Sequence, residues 1–161
     1  MALTALDKER VAVAISVAAG CRPCTTYHLA AARQAGVTDK DIEAAVAAAV
    51  CVRSSTTEGM RRYALSLDPR QDGCGCGVKT AWEELAALGT SLAVNCTENI
   101  AKHLAAVRAL GVVQADLDEV AALTDTIRAR AISHGQARFK APGAQQSRPA
   151  DACEASAAQC C

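Results

Sequence analysis

The segment HLAAARQAGV at residues 28–37 recurs as HLAAVRALGV at residues 103–112, at an offset of 75 residues. At that offset, residues 7–47 align on residues 82–122 without gaps, and 14 of the 41 pairs are identical. The identical pairs include Glu, Cys, His, Arg, Gly and Asp, so alanine richness alone does not explain the match. The sequence therefore predicts a tandem duplication of one helical unit, with the two copies packed on each other.

The composition indicates which kind of element forms these units. Of the 161 residues, 51 % are hydrophobic but only 2 % are aromatic. Small side chains, with little alternation of β-branched or aromatic residues, favour close-packed helices over a sheet. The 17 basic and 17 acidic residues give a net charge of zero, which argues against a protein that binds nucleic acid. We therefore expect an all-α helical bundle.

Capping and breaking residues set the predicted boundaries. Residues 1–139 form a single domain of two repeats, at about 6–67 and 80–139, joined by a Gly- and Cys-rich loop at 68–79. Residues 140–161 have the composition of a disordered tail and contain three cysteines. The predicted helices are 6–19, 21–35, 38–52 and a short fourth helix at 56–67, followed by 80–94, 97–110 and 114–139.

The N-terminal apolar run bears on the compartment. Residues 11–21 end in a small residue, Gly and Cys, as a bacterial lipoprotein signal does, but Asp7 and Glu9 precede the run. A signal peptide begins with a net positive segment, and this run is far shorter than the roughly 20 residues that span a bilayer. We therefore interpret it as a buried helix of a cytoplasmic protein with no membrane partner, in which thiols stay reduced.

The candidate site lies in the sequence CRPCTTYH at residues 21–28. Cys21 and Cys24, at the first turn of a helix, are close enough to form a disulfide, and the helix N-terminus favours a thiolate. His28 follows Cys24 by one turn on the same face, where an imidazole can accept the thiol proton and return it to a leaving oxygen. Glu9 precedes Cys21 by about three turns and can orient His28. A zinc half-site, completed by Cys96 and His103 of the second repeat, is the alternative.

These residues, in the pattern Glu-x11-Cys-x2-Cys-x3-His within Ala-rich helices, resemble the alkylhydroperoxidase D-like branch of the carboxymuconolactone decarboxylase family. The resemblance covers residues 6–52, with residues 80–125 as a degenerate copy. It implies an all-helical homo-oligomer, commonly a trimer or hexamer, and a thiol-dependent peroxidase without metal, haem or other cofactor. It also implies a small peroxide substrate and a dithiol or thioredoxin-like protein as reductant.

The resemblance also implies a role for each site residue. Cys24 would be the peroxidatic nucleophile, Cys21 the resolving thiol, and His28 and Glu9 the proton relay. Pro23 is a departure, because some members of the family carry a histidine between the two cysteines. That difference bears on the rate and the substrate more than on the type of reaction.

The remaining cysteines fall into two groups. The second repeat keeps Glu84, Cys96 and His103 but has Asn99 in the position of Cys24, so we interpret it as a structural relic. Cys51 is expected to be a buried, inert thiol. The loop and tail cysteines are candidate ligands for soft metals or metalloids, a relay of reducing equivalents, or residues without a function: Cys74, Cys76, Cys153, Cys160 and Cys161. A soft-metal-binding protein and lactone decarboxylase chemistry are therefore the alternatives to a peroxidase.

Overall fold

The computed structural model describes residues 3–67, 74, 75, 77 and 80–141. Within these segments the chain is all-helical and has no strand, which confirms the expected all-α bundle. The six helices are α1 (Ala5–Ala18), α2 (Arg22–Gln34), α3 (Asp39–Ala64), α4 (Ala81–Ala93), α5 (Thr97–Ala109) and α6 (Gln114–Lys140). No described helix combines the length and the hydrophobicity that crossing a membrane requires.

Local signals explain where the helices begin and end. Thr4, Thr38 and Thr80 are the N-caps of α1, α3 and α4, and each hydroxyl accepts a hydrogen bond from the backbone N–H three residues later. Gly36 and Gly111 follow the ends of α2 and α5 with positive φ angles of 86° and 75°. Glycine adopts this left-handed conformation without a steric cost, so the repeat places the same stop signal in both units.

The predicted break after residue 52 and the separate helix at 56–67 are wrong, because α3 continues without interruption to Ala64. The Arg-Ser-Ser-Thr-Thr segment at 53–57 has low helix propensity, but its hydroxyl groups are satisfied inside the helix. Ser55 and Thr56 donate to the carbonyl of Val52, and Thr57 donates to that of Arg53. Packing of the apolar face of α3 therefore outweighs the weak local preference for a break.

Buried residues of both repeats pack into a common hydrophobic core. Helices α1 and α4, the first helix of each repeat, pack against each other at the centre. The third helix of each repeat also reaches the other repeat, because α3 packs on α4 and α6 packs on α1 and α2. The third helix of each repeat therefore packs on the other repeat, and a side chain of α6 can reach a site on α2.

Gly89 on α4 lies in close contact with Ile15 on α1. A Cβ atom placed there would lie 2.8 Å from Cδ1 and 2.9 Å from Cγ1 of Ile15, which is fully buried. We expect Gly89→Val to lower the free energy of unfolding by about 1–3 kcal/mol, as overpacking of a tight core does. Urea unfolding followed by circular dichroism measures this change.

Gly59, an exposed glycine within α3, provides the matched control for this substitution. Nothing lies within 4 Å of a Cβ built on Gly59. Gly59→Ala should raise the free energy of unfolding by about 0.5–1 kcal/mol through helix propensity alone. A Gly89→Val protein as stable as the wild type would contradict the close packing of α1 on α4.

Candidate functional site: a dithiol and a Glu–His pair

The N-terminus of α2 holds the two cysteines of the first repeat. Cys21 is the N-cap residue, and its sulfur accepts a hydrogen bond from the backbone N–H of Cys24 at 3.2 Å. Pro23 lies in the first turn, where its missing N–H costs no helical hydrogen bond. Cys21 and Cys24 are joined by a disulfide with their Cα atoms 5.3 Å apart, and both are buried. The first turn of α2 therefore carries a disulfide-bonded pair of cysteines.

A carboxylate–imidazole pair lies beside this dithiol. Nδ1 of His28 is 3.1 Å from Oε2 of Glu9, so α1 and α2 place the two side chains in direct contact. His28 is buried and lies one turn after Cys24 on α2, while Glu9 keeps partial access to solvent. The ring of Tyr27 meets that of His28 edge to face at 5.0 Å between centroids. Contact with Glu9 fixes the orientation of the imidazole and leaves Nε2 for other partners.

A third group, His134, lies near the dithiol and was not predicted from the sequence. The two sulfur atoms and a ring nitrogen of His134, on α6, all lie within 4.8 Å of one another. The repeat gives no signal for this residue, because the position 75 residues earlier is Gly59. Its one signal was indirect: of the three histidines in the chain, His134 is the one outside the repeated motif.

The second repeat retains the carboxylate–imidazole pair. Nδ1 of His103 is 2.7 Å from Oε2 of Glu84, the same pair of atoms that meets in the first repeat. Asn99 stands where the first repeat has Cys24, and its amide donates to the hydroxyls of Ser55 and Thr56 on α3 at 2.9 and 3.3 Å. In the second repeat, the position of Cys24 is thus occupied by a buried, hydrogen-bonded amide.

Cys74, a residue of the predicted loop between the repeats, lies in this second pocket. It is fully buried, and its sulfur is 2.9 Å from Nε2 of His103. Its backbone N–H donates to Oδ1 of Asn99 at 3.0 Å, and its carbonyl accepts a hydrogen bond from Lys102. A polar pocket that retains His103 and Asn99 holds the residue in place, and no sequence pattern shows such a contact.

The other predicted cysteines differ in their positions. Cys51, expected to be buried, is half-buried on α3, and Cys96 is buried at the N-cap of α5. The remaining soft-metal candidates lie outside the described residues: Cys76, Cys153, Cys160 and Cys161.

The environment of His103 changes its protonation. Burial disfavours the charged imidazolium, but hydrogen bonds and charge interactions with Cys74 and Glu84 outweigh it and raise the pKa of His103 above its ordinary value of 6.5. A group whose pKa is raised by folding stabilises the folded state fully below its unfolded-state pKa. That contribution is lost as the pH rises through the folded-state pKa.

Glu84→Gln should therefore destabilise the chain in a pH-dependent way. The loss in free energy of unfolding should be largest near pH 6, where the wild-type imidazolium is paired, and should shrink as the pH rises. Urea titrations from about pH 5.5 to 9 measure this trend. Glu43→Gln, at an exposed position on α3, is the control, and an equal loss at all pH values for Glu84→Gln would contradict the pairing.

Comparison with protein families gives a match over the first repeat. Residues 2–63, which include α1, α2 and nearly all of α3, match the model of the carboxymuconolactone decarboxylase family. None of the curated proteins matches the chain. The matched segment carries the Cys21–Cys24 disulfide and the Glu9–His28 pair, and the second repeat is related to it through the internal duplication. Over its first repeat, the chain is therefore similar to the carboxymuconolactone decarboxylase family.

Proposed function

We propose that the protein is a thiol-dependent peroxidase of the alkylhydroperoxidase D-like type, which reduces hydroperoxides through Cys21 and Cys24. One observation carries this proposal: a dithiol at a helix N-terminus lies one turn before a buried histidine that a glutamate orients. A nucleophile, an acid–base group and a group that orients it are the parts that thiol chemistry requires.

The first step oxidises Cys24. Its thiolate attacks one oxygen of the hydroperoxide, a sulfur–oxygen bond forms and the oxygen–oxygen bond breaks. The sulfur loses two electrons and becomes a sulfenic acid, and the peroxide gains them. The alkoxide that leaves takes a proton from the imidazolium of His28 and departs as an alcohol, or as water when the substrate is hydrogen peroxide. Glu9 stabilises the imidazolium before this transfer.

The second step closes the disulfide. The thiol of Cys21 attacks the sulfur of the Cys24 sulfenic acid, and water leaves with the sulfenic oxygen. An external dithiol, either a small molecule or a thioredoxin-like protein, then restores both thiols by exchange and is itself oxidised. The described disulfide corresponds to the oxidised form of this cycle.

We also propose His134 as a second proton donor at this site. Pro23 stands where some members of the family carry a histidine, and α6 brings an imidazole within 4.8 Å of both sulfurs. We expect His134→Ala to lower kcat/KM for a hydroperoxide about tenfold, because His28 remains as the main donor. Gln136→Ala, at an exposed position two residues further along α6, is the control. Equal rates for the wild type and His134→Ala would remove His134 from the reaction.

Peroxide consumption with a dithiol reductant tests the proposed function. Purified chain, supplied with dithiothreitol and either hydrogen peroxide or cumene hydroperoxide, should consume about one peroxide for each dithiol oxidised. No turnover with either peroxide would contradict a peroxidase. Turnover of a γ-carboxy-lactone by a chain with Cys21→Ser and Cys24→Ser would instead support decarboxylase chemistry.

A second candidate function is the binding of a soft metal or metalloid ion. After reduction, Cys21, Cys24 and His134 offer two sulfurs and one nitrogen within 4.8 Å, a ligand set that suits zinc or a thiophilic metalloid. Equilibrium dialysis with Zn²⁺ should then show binding by the reduced chain that is lost on oxidation and weakened by His134→Ala. Binding that survives both changes but is lost with Cys153, Cys160 and Cys161 replaced by serine would assign it to the tail.

We also propose that the chain acts as a homo-oligomer, as a trimer or hexamer. The support is a set of exposed large apolar side chains on α2, the end of α3 and α6, namely Tyr27, Met60, Tyr63, Ile132 and Phe139. Sedimentation equilibrium of the purified chain measures the mass of the assembly. A mass of 16.6 kDa at micromolar concentration would contradict the proposal.

A further inference from the structure

We propose that Cys74, His103 and Glu84 form a second thiol site that reacts with small hydroperoxides, hydrogen peroxide above all. In this site Cys74, which lies between the two repeats, supplies the thiol that the second repeat lacks at position 99. The reaction would take place independently of Cys21 and Cys24.

The three side chains form a continuous line of contacts. Oε2 of Glu84 is 2.7 Å from Nδ1 of His103, and Nε2 of His103 is 2.9 Å from the sulfur of Cys74. Both nitrogens of the imidazole are therefore engaged, one by a carboxylate and one by a thiol. A nucleophile beside a base that a third group orients is the arrangement that activates cysteine in enzymes.

The duplicated motif explains how Cys74 is held. Asn99 occupies the position of Cys24, and its carbonyl oxygen accepts the backbone N–H of Cys74 at 3.0 Å. Its amide nitrogen is fixed by Ser55 and Thr56 of α3, so the acceptor is aimed at the incoming segment. Asn99, at the position equivalent to Cys24, thus holds Cys74 beside His103.

The charges around the sulfur favour a thiolate. Nζ of Lys102 is 4.0 Å from the sulfur of Cys74, and the same ammonium group donates to the carbonyl of Cys74. His103, whose pKa is raised by contact with Cys74 and Glu84 in spite of burial, supplies a second positive charge. A nearby cation and an imidazolium lower the cost of ionising a thiol, and the thiolate is the nucleophilic form.

Access to the sulfur indicates which substrates fit. Cys74 is 0 % exposed, whereas Gly75 and Gly77, one and three residues further along the chain, are exposed. A sulfur buried to this extent is reached more readily by a molecule of the size of hydrogen peroxide than by a bulky organic hydroperoxide. We therefore expect a preference for hydrogen peroxide over cumene hydroperoxide at Cys74.

The reaction balances without a further cofactor. The thiolate of Cys74 attacks one oxygen of hydrogen peroxide, the oxygen–oxygen bond breaks, and the sulfur is oxidised by two electrons to a sulfenic acid. The hydroxide that leaves takes the proton of the His103 imidazolium and becomes water. An external thiol then condenses with the sulfenic acid to release water and form a mixed disulfide, and a second thiol molecule restores Cys74.

The test uses the full chain with Cys21→Ser and Cys24→Ser, so that its result does not depend on the proposed peroxidase at the first site. The reduced protein is treated with limiting hydrogen peroxide, sulfenic acid is trapped with dimedone, and mass spectrometry quantifies the label at each cysteine. Cys51, half-buried on α3, is the internal reference. We expect Cys74 to be labelled at least about ten times as fast as Cys51. The thiolate is the reactive form, and an ordinary thiol is only a few per cent ionised near pH 7.

Three variants separate a reactive site from a merely buried thiol. His103→Gln and Glu84→Gln should each lower the labelling rate of Cys74 and leave that of Cys51 unchanged, with the larger effect for His103→Gln. Lys102→Met, which keeps the imidazole, should cause a smaller loss. If a variant fails to fold, the comparison of Cys74 with Cys51 labelling in the wild-type chain still tests the proposal. Labelling of Cys74 no faster than Cys51, or labelling that is unchanged in Glu84→Gln and His103→Gln, would overturn the proposal.

Discussion

Cys24→Ser is expected to abolish peroxide turnover, with a fall of about a thousandfold or more in kcat/KM. The hydroxyl of serine does not ionise near neutral pH and forms no sulfenic acid, so the first step has no nucleophile. The steady-state rate of hydrogen peroxide consumption with dithiothreitol measures the loss.

Cys21→Ser and Cys51→Ser complete this comparison. Cys21→Ser should still react once, leaving a sulfenic acid at Cys24 that dimedone traps, because only the disulfide step is blocked. Cys51→Ser should keep the wild-type rate, since Cys51 lies on α3 outside the dithiol. If Cys24→Ser kept the wild-type rate while Cys21→Ser lost it, the two roles assigned here would be reversed.

His28→Gln is expected to lower kcat/KM for hydroperoxide by about 10²–10⁴-fold, the usual contribution of a general acid–base group. The imidazole lies one turn after Cys24 and is 3.1 Å from the carboxylate of Glu9. Glutamine keeps a polar side chain of similar size but cannot accept and return a proton. Peroxide consumption from about pH 5 to 9 measures both the loss and the change in the pH profile.

Glu9→Gln and Tyr27→Phe separate acid–base chemistry from packing. Glu9 acts through His28, so Glu9→Gln should cause a smaller loss and shift the pH profile, which a purely structural role would not do. Tyr27→Phe keeps the ring that meets His28 edge to face and should leave the rate unchanged. A His28→Gln protein with the wild-type rate and pH profile would exclude the proton relay.

The sequence predicted the helices well because their ends depend on local signals. The Thr residues at the helix starts and the Gly residues after α2 and α5 act within one turn of their own positions. Because the repeat has no gaps, a helix boundary found in one unit also indicates the matching boundary in the other. The continuity of α3 could not be predicted in the same way, since it depends on packing that overrides a weak local preference.

The candidate site was predictable only where its residues share a repeated motif. Spacing along α1 and α2 indicated that Glu9 and His28 could meet, and they do so directly. His134 comes from a helix about 100 residues further along and has no counterpart in the repeat. Cys74 enters its pocket from the segment between the repeats, and this contact is tertiary. Helix periodicity and spacing carry no information on either residue.

The two repeats place a cysteine beside a histidine in different ways. In the first, the dithiol lies on the helix that carries the histidine, and a histidine of α6 approaches from the other repeat. In the second, a cysteine from outside the helix lies against the histidine, and a hydroxyl of α3 accepts a hydrogen bond from Asn99, which stands in the position of Cys24. In both pockets, the third helix of the other repeat therefore contributes side chains: α6 contributes His134 to the first, and α3 contributes Ser55 to the second.

The oxidation state of the peptide that contains Cys21 and Cys24 tests the central claim most directly. The reduced chain is treated with one equivalent of hydroperoxide, remaining thiols are blocked, and the peptide mass is measured. Reduction of the peroxide by this dithiol predicts the loss of two hydrogens from that peptide, with one molecule of alcohol or water formed per disulfide. A peptide that remains a dithiol while the peroxide persists would contradict a redox function for Cys21 and Cys24.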